Sequence, residues 1–108
     1  MRIALAQLNL CVGDIAGNTA RIIDTIARAR DELHAQLVVF PELAITGYPP
    51  EDLLFRPGLH QRVEHALRDI ERMTAGIAVV VGHPECEDAT IFNSASYIVE
   101  GVTRTVYR

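Results

Sequence analysis

Three features of the sequence predict an α/β fold. The runs "RIALAQLN", "AQLVVF" and "IAVVVGHP" are short and mostly apolar at every position, as strands covered on both faces are. Two longer stretches between them carry apolar residues at helical spacing. Strand, helix and strand in alternation is the pattern of a βα-type sheet.

The first run, residues 2–9, sets Ile3, Leu5 and Gln7 against Ala4, Ala6 and Leu8. Gly13-Asp14 and Gly17-Asn18 then punctuate a loop. Asn18 is the expected N-cap of a helix over 19–35, with Ile22, Ile23, Ile26, Ala29, Leu33 and Leu37 inward. Residues 35–40 form a buried strand whose ladder Pro41 ends. A Pro- and Gly-rich loop fills 41–50, and "EDLLF" makes one helical turn after Pro50. The second helix spans 58–75, with Leu59, Val63, Ala66, Leu67, Ile70 and Met73 inward and Gly76 at the C′ position. A strand over 77–84 follows. Residues 90–108 read as a hairpin turning at Glu100-Gly101, with Val102, Arg104 and Val106 opposite in face to Thr103, Thr105 and Tyr107.

Composition narrows the function classes. The 108 residues suffice for one small domain, and 49% are hydrophobic, so the chain can bury a core. The net charge is −4, and the ten bases, all arginine, are scattered, which excludes a basic nucleic-acid stripe. Cys11 and Cys86 form neither a metal pattern nor a disulfide framework, and a reduced, cytoplasmic setting fits them. The N-terminus alternates like a strand and lacks a signal-peptide cleavage site. No apolar run approaches the ~18 residues a membrane span needs. Neither GxGxxG nor a P-loop is present. The last strand is still running at Arg108, so the chain is expected to stop in mid-fold.

The chemistry gathers in "VVFPELAITGYPPEDLL", residues 38–54. Glu42 follows a buried strand directly, where α/β folds keep their active sites. In a cleft of low dielectric such a carboxyl is pushed toward the range useful for a general base. The competing reading is a strand-ending acid that caps a turn or pairs with an arginine.

This stretch resembles the first signature of the nitrilase-like carbon–nitrogen hydrolases. The opening "RIALAQLNLCVGDIAGN", "GYPPEDLL", "VVVGHPE" and "IFNSASYIVEGV" are similar, in order, to the glutaminase domains of bacterial glutamine-dependent NAD synthetases. The resemblance covers the whole chain. It implies the first part of a four-layer α-β-β-α sandwich and a Glu-Lys-Cys triad, with Glu42 as base. It also implies that the domain is incomplete here and that the synthetase domain is absent. No lysine is present, and neither Cys11 nor Cys86 matches the nucleophile, so the chain alone is expected to be inactive.

The resemblance implies further roles. Tyr48 lines a glutamine pocket, or alternatively packs on Pro49 and Pro50. Asn93 orients Glu42 or the missing lysine, or alternatively is a polar residue starting a strand. The implied reaction is glutamine hydrolysis feeding ammonia to ATP-dependent amidation of deamido-NAD. ATP and Mg belong to the absent synthetase domain, no cofactor is expected in these residues, and a homo-oligomer is implied. Other readings are an amidase, nitrilase or carbamoylase of the same family, or a non-catalytic assembly module. His83 reads as structural, His34, His60 and His65 as exposed helix-edge residues, and Glu51-Asp52 as complements to a helix dipole rather than a metal pair. Half a sandwich would expose a sheet face and associate through it.

Overall fold

The computed structural model describes all of residues 1–108. Five strands form one sheet in sequence order: β1 (Ile3–Leu5), β2 (Leu37–Val39), β3 (Ala78–Glu87), β4 (Thr90–Val99) and β5 (Val102–Tyr107). Helix α1 (Ile15–Asp31) links β1 to β2, and α2 (Leu59–Glu71) links β2 to β3. A 3-10 helix at Glu51–Phe55 precedes α2, as "EDLLF" predicted.

The first three strands are parallel and therefore need crossovers, which α1 and α2 supply. The sheet advances in one direction, so right-handed crossovers lay both helices on the same face. Register shows which side chains they cover. Ala4, Val38, Val79, Ile98 and Thr103 form one row across the sheet. Val38, Val79 and Ile98 of that row are fully buried in a core with Ile22 and Ile26 of α1 and Val63 and Ile70 of α2. The neighbouring rows face the other way. They run Ile3, Leu37, Ala78, Val99, Val102 and Leu5, Val39, Val80, Tyr97, Thr105. No element covers them, and Leu5 is 74% exposed. The sheet thus has one helix-covered face and one bare apolar face, as the first part of a sandwich should.

Several elements differ from expectation for local reasons. β1 is only three residues long; beyond it, Ala6 still donates to the Val39 carbonyl at 2.9 Å. Helix α1 starts at Ile15, not residue 19. Asp14 is the cap, its carboxylate accepting the Gly17 N–H at 2.9 Å, so Asn18 lies inside the first turn. The helix also ends early, at Asp31: His34 takes φ +54 and Ala35 N–H returns to the Ala29 carbonyl. Leu33 therefore falls outside the helix and is 55% exposed.

Helix α2 ends at Glu71 with Arg72 as its cap, so Gly76 lies beyond the C′ position, in the turn into β3. Met73 is exposed rather than inward. β3 does not stop at Pro84 but runs on to Glu87. β2 has ended by then, so Pro84 falls where β3 has β4 beside it and no β2, a setting that tolerates proline. A second tight hairpin joins β3 to β4 through Asp88 and Ala89, at φ +48 and +65. The Glu100-Gly101 turn is as predicted, at φ +50 and +79. A bulge opposite Tyr97 and Ile98 leaves Arg104 unmatched, so Val106 shares a face with Thr103 and not with Val102.

Candidate active site

Phe40 still donates to the Val80 carbonyl, at 2.9 Å, after β2 has ended. Pro41 has no N–H and stops the pairing. Glu42 comes next, and the chain then bends sharply: Leu43 takes φ +51, unusual for a branched apolar residue. Residues 43–47 are all buried, and Ile45 N–H donates to the Gly82 carbonyl at 3.3 Å. The turn is pinned beneath Glu42, while the Glu42 side chain stays at the surface.

Gly82 makes this close approach possible. A Cβ there would lie 2.6 Å from the Leu43 nitrogen and 2.7 Å from the Pro41 oxygen. Both are backbone atoms, which cannot rotate away. Gly47, at φ +79, serves a similar end: a Cβ there would lie 2.8 Å from Val12 Cα. Gly13 N–H closes this contact on the Thr46 carbonyl at 2.9 Å.

The Glu42 carboxylate accepts a hydrogen bond from the Asn93 side-chain amide. Asn93 is the fourth residue of β4, opposite Pro84, so it is an interior strand residue rather than a strand start. Since the partner of Glu42 is this amide, the arginine-pair reading of Glu42 does not hold. Glu42 is exposed and not enclosed in a cleft of low dielectric.

Beside Glu42 lies a cavity of about 110 Å³, lined among others by Leu8, Asn9, Leu10, Glu42, Gly47 and Tyr48. Tyr48 thus shares a cavity with Glu42, and is 63% exposed. Cys11 and Cys86 are both exposed thiols, and neither lines this cavity.

His83 is buried, as its structural reading requires. Its Nδ1 donates to the Pro84 carbonyl at 3.0 Å, which leaves Nε2 to accept from the Ser96 hydroxyl at 2.7 Å. His65 is exposed, His34 lies past the end of α1, and His60 is half-buried with Nε2 on the Leu54 carbonyl at 3.1 Å. Glu51 and Asp52 open the 3-10 helix as expected.

Sequence reasoning passed over one polar cluster, at Arg108, and gave a second polar residue the wrong role. Arg108 donates to Glu85 at 2.7 Å and to Glu87, while its guanidinium stacks 4.4 Å from the Phe92 ring centre. The Arg108 hydrogen bond, with help from the Ser94 hydroxyl, holds the Glu85 carboxyl below the usual carboxylate range. The second feature is Asn18, buried and bonded to two loops. A glycine in the β-branched run "VVVGHP" was a readable sign of close backbone approach. Nothing in the sequence signalled where Asn18 points.

Fold and site together define a mixed α/β protein with a carboxylate site at the end of a parallel strand. The chain belongs to the carbon–nitrogen hydrolase family, whose profile matches residues 2–108. It is 51% identical over 108 residues to the glutamine-dependent NAD(+) synthetase of Xanthomonas campestris pv. campestris, matching 100% of this chain and 20% of that protein. The structure of glutamine-dependent NAD+ synthetase from Acinetobacter baumannii in complex with ADP superposes with a TM-score of 0.91 at 36% identity, covering 97% of this chain and 20% of that one. A glutamate-to-glutamine mutant of the amidase from Nesterenkonia sp. AN1 shows covalent addition of the acetamide moiety of fluoroacetamide at the active site cysteine. It matches at a TM-score of 0.89 and 29% identity, over 100% of this chain and 42% of that one. The chain thus spans about a fifth of the length of the synthetases it matches.

Proposed function

We propose that these residues are the N-terminal part of a glutamine-hydrolysing domain in a glutamine-dependent NAD synthetase, with Glu42 as its general base. The observation that carries the reading is the Glu42 carboxylate held by the Asn93 amide at the mouth of a small cavity. The high identity to synthetases over the full chain supports the subgroup.

In this reading a cysteine outside these residues attacks the carboxamide carbonyl of glutamine. Glu42 takes the thiol proton and returns it to the leaving nitrogen, so that ammonia departs and a thioester forms. Glu42 then takes a proton from water, which attacks the thioester, and glutamate leaves as the thiol is restored. A lysine, also outside these residues, stabilises the carbonyl oxygen as it gains charge. Asn93 fixes which way the base points, and Tyr48 supplies an aromatic wall with a hydroxyl for the substrate. The ammonia serves ATP- and Mg-dependent amidation of deamido-NAD in a second domain.

The same reading makes the protein a cytoplasmic homo-oligomer. No helix in the structure is long and apolar enough to cross a membrane. The amidase similarity favours one rival, a family member acting on other amides.

The test uses the full-length protein from the complete reading frame. Glutamine-driven NAD formation should be lost in Glu42→Gln, while NAD formation from added ammonia persists. Hydrolysis of simple amides with no NAD formation from either nitrogen source would assign the amidase reading instead.

A further inference from the structure

Asn18 lies in the first turn of α1, with 1% of its surface exposed. Its position there gives the helix nothing: Asp14 is the cap, and the Asn18 backbone N–H already bonds the Asp14 carbonyl at 2.8 Å. The side chain is instead committed elsewhere. Oδ1 accepts the Cys11 N–H at 2.9 Å, and Nδ2 donates to the Cys11 carbonyl at 2.8 Å. The second Nδ2 proton goes to the Ile45 carbonyl at 3.1 Å.

Those three bonds join two segments distant in the chain. Cys11 ends the segment whose Leu8, Asn9 and Leu10 line one side of the cavity. Ile45 is in the middle of the buried turn that carries Glu42 at one end and Tyr48 at the other. Gly13 N–H to the Thr46 carbonyl, at 2.9 Å, is the adjoining backbone link, and Asn18 is the buried side chain that spans the junction.

We propose that Asn18 is a positioning residue for the amide-hydrolysing site: it locks the Glu42-bearing turn to the opposite wall and so keeps Glu42 on Asn93. This rests on the functional reading above. An amide is suited to the task because it both donates and accepts, and a buried polar group left unpaired carries a desolvation penalty. Asn18 touches no substrate and acts through Glu42.

The full-length protein is again the material. Asn18→Ala removes all three bonds, and the milder Asn18→Ser serves where Ala fails to fold. Glutamine-driven turnover should fall about tenfold or more in kcat/KM, with ammonia-driven NAD formation unchanged. A purely structural role would lower both activities together. Asn93→Ala should cost less than about twofold in the Asn18 variant, although it costs much more in the parent, since both act by aiming one carboxylate. Glutamine-driven activity within twofold of the parent, or losses that multiply, would overturn the proposal.

A parent protein with no activity on glutamine would overturn the functional reading instead. Amide hydrogen exchange then still decides the geometry. Exchange over residues 43–47 should accelerate in the variant, and unchanged exchange there would reject the lock.

Discussion

Gly82 and Leu43 are packed backbone to backbone: a Cβ on Gly82 would sit 2.6 Å from the Leu43 nitrogen. This contact lets the chain hold a left-handed turn at Leu43, immediately after Glu42. Gly82→Ala should therefore force residues 41–43 off β3. Overpacking of this kind costs about 1–3 kcal/mol. A drop of several degrees in melting temperature is expected and, on the proposed function, loss of glutamine hydrolysis in the full-length protein beyond what the melt explains. A variant that melts and hydrolyses like the parent would show that the turn can move without cost.

Glu42 and Asn93 stand 51 positions apart in the chain and meet across the end of the sheet. If Glu42 is the base, as proposed, Glu42→Gln should slow glutamine hydrolysis by roughly 100-fold or more, the usual weight of general base catalysis. Asn93→Ala keeps the carboxylate but frees it to rotate, so its effect should be smaller, about tenfold. Steady-state rates of glutamate release from the full-length protein measure both. Equal losses in the two variants would mean that Asn93 does more than orient the base.

That meeting shows what the sequence discloses. Short apolar runs and helical spacing disclose the order of strands and helices because burial selects those patterns directly. The resemblance carried by "VVFPELAITGYPPEDLL" led to Glu42 and Tyr48, and that carried by "IFNSASYIVEGV" led to Asn93. Spacing alone left Glu42 open between a base and a strand-ending acid. What stayed hidden depended on single residues in uncommon roles. Asp14 and Asn18 are both good caps, and sequence cannot say which side chain turns back on the helix. His34, just past the end of α1, turns the chain at φ +54, and Asp88-Ala89 makes a tight turn at positive φ, without the glycine that usually marks such places. The arginine of the 108th position finds Glu85 only because β3 and β5 flank β4.

Glu85 gives a pH signature. Arg108 holds its carboxyl below the ordinary range. A carboxyl depressed on folding adds stability that is present above its unfolded value, near pH 4.3, and is lost as pH falls through its folded value. Glu85→Gln should therefore lower the melting temperature slightly at pH 7. The difference from the parent should shrink below about pH 4 and at high salt, because both partners are partly exposed. A gap that stays constant from pH 7 to pH 3 would show that the ion pair is not its source.

The 108-residue chain alone should not hydrolyse glutamine. It contains no lysine, and both of its thiols lie away from the Glu42 cavity. Glutamate release by the purified chain, abolished in Glu42→Gln, would contradict this directly. Background release that survives the substitution would reflect contamination.

The bare face of the sheet governs how that isolated chain behaves. Ile3, Leu5, Tyr97 and Val102 project from it, and nothing packs on them. An exposed, contiguous apolar patch of this kind drives association. β1 and β5 are also open edges that can pair with another chain. Sedimentation of the isolated chain should reveal dimers or larger species at micromolar concentration, and Leu5→Glu with Tyr97→Glu should shift them toward monomer. Neither substitution touches the helix-covered core, so helical content should persist in circular dichroism. A monodisperse monomer that melts cooperatively before any substitution would mean that the apolar rows are satisfied without a covering layer.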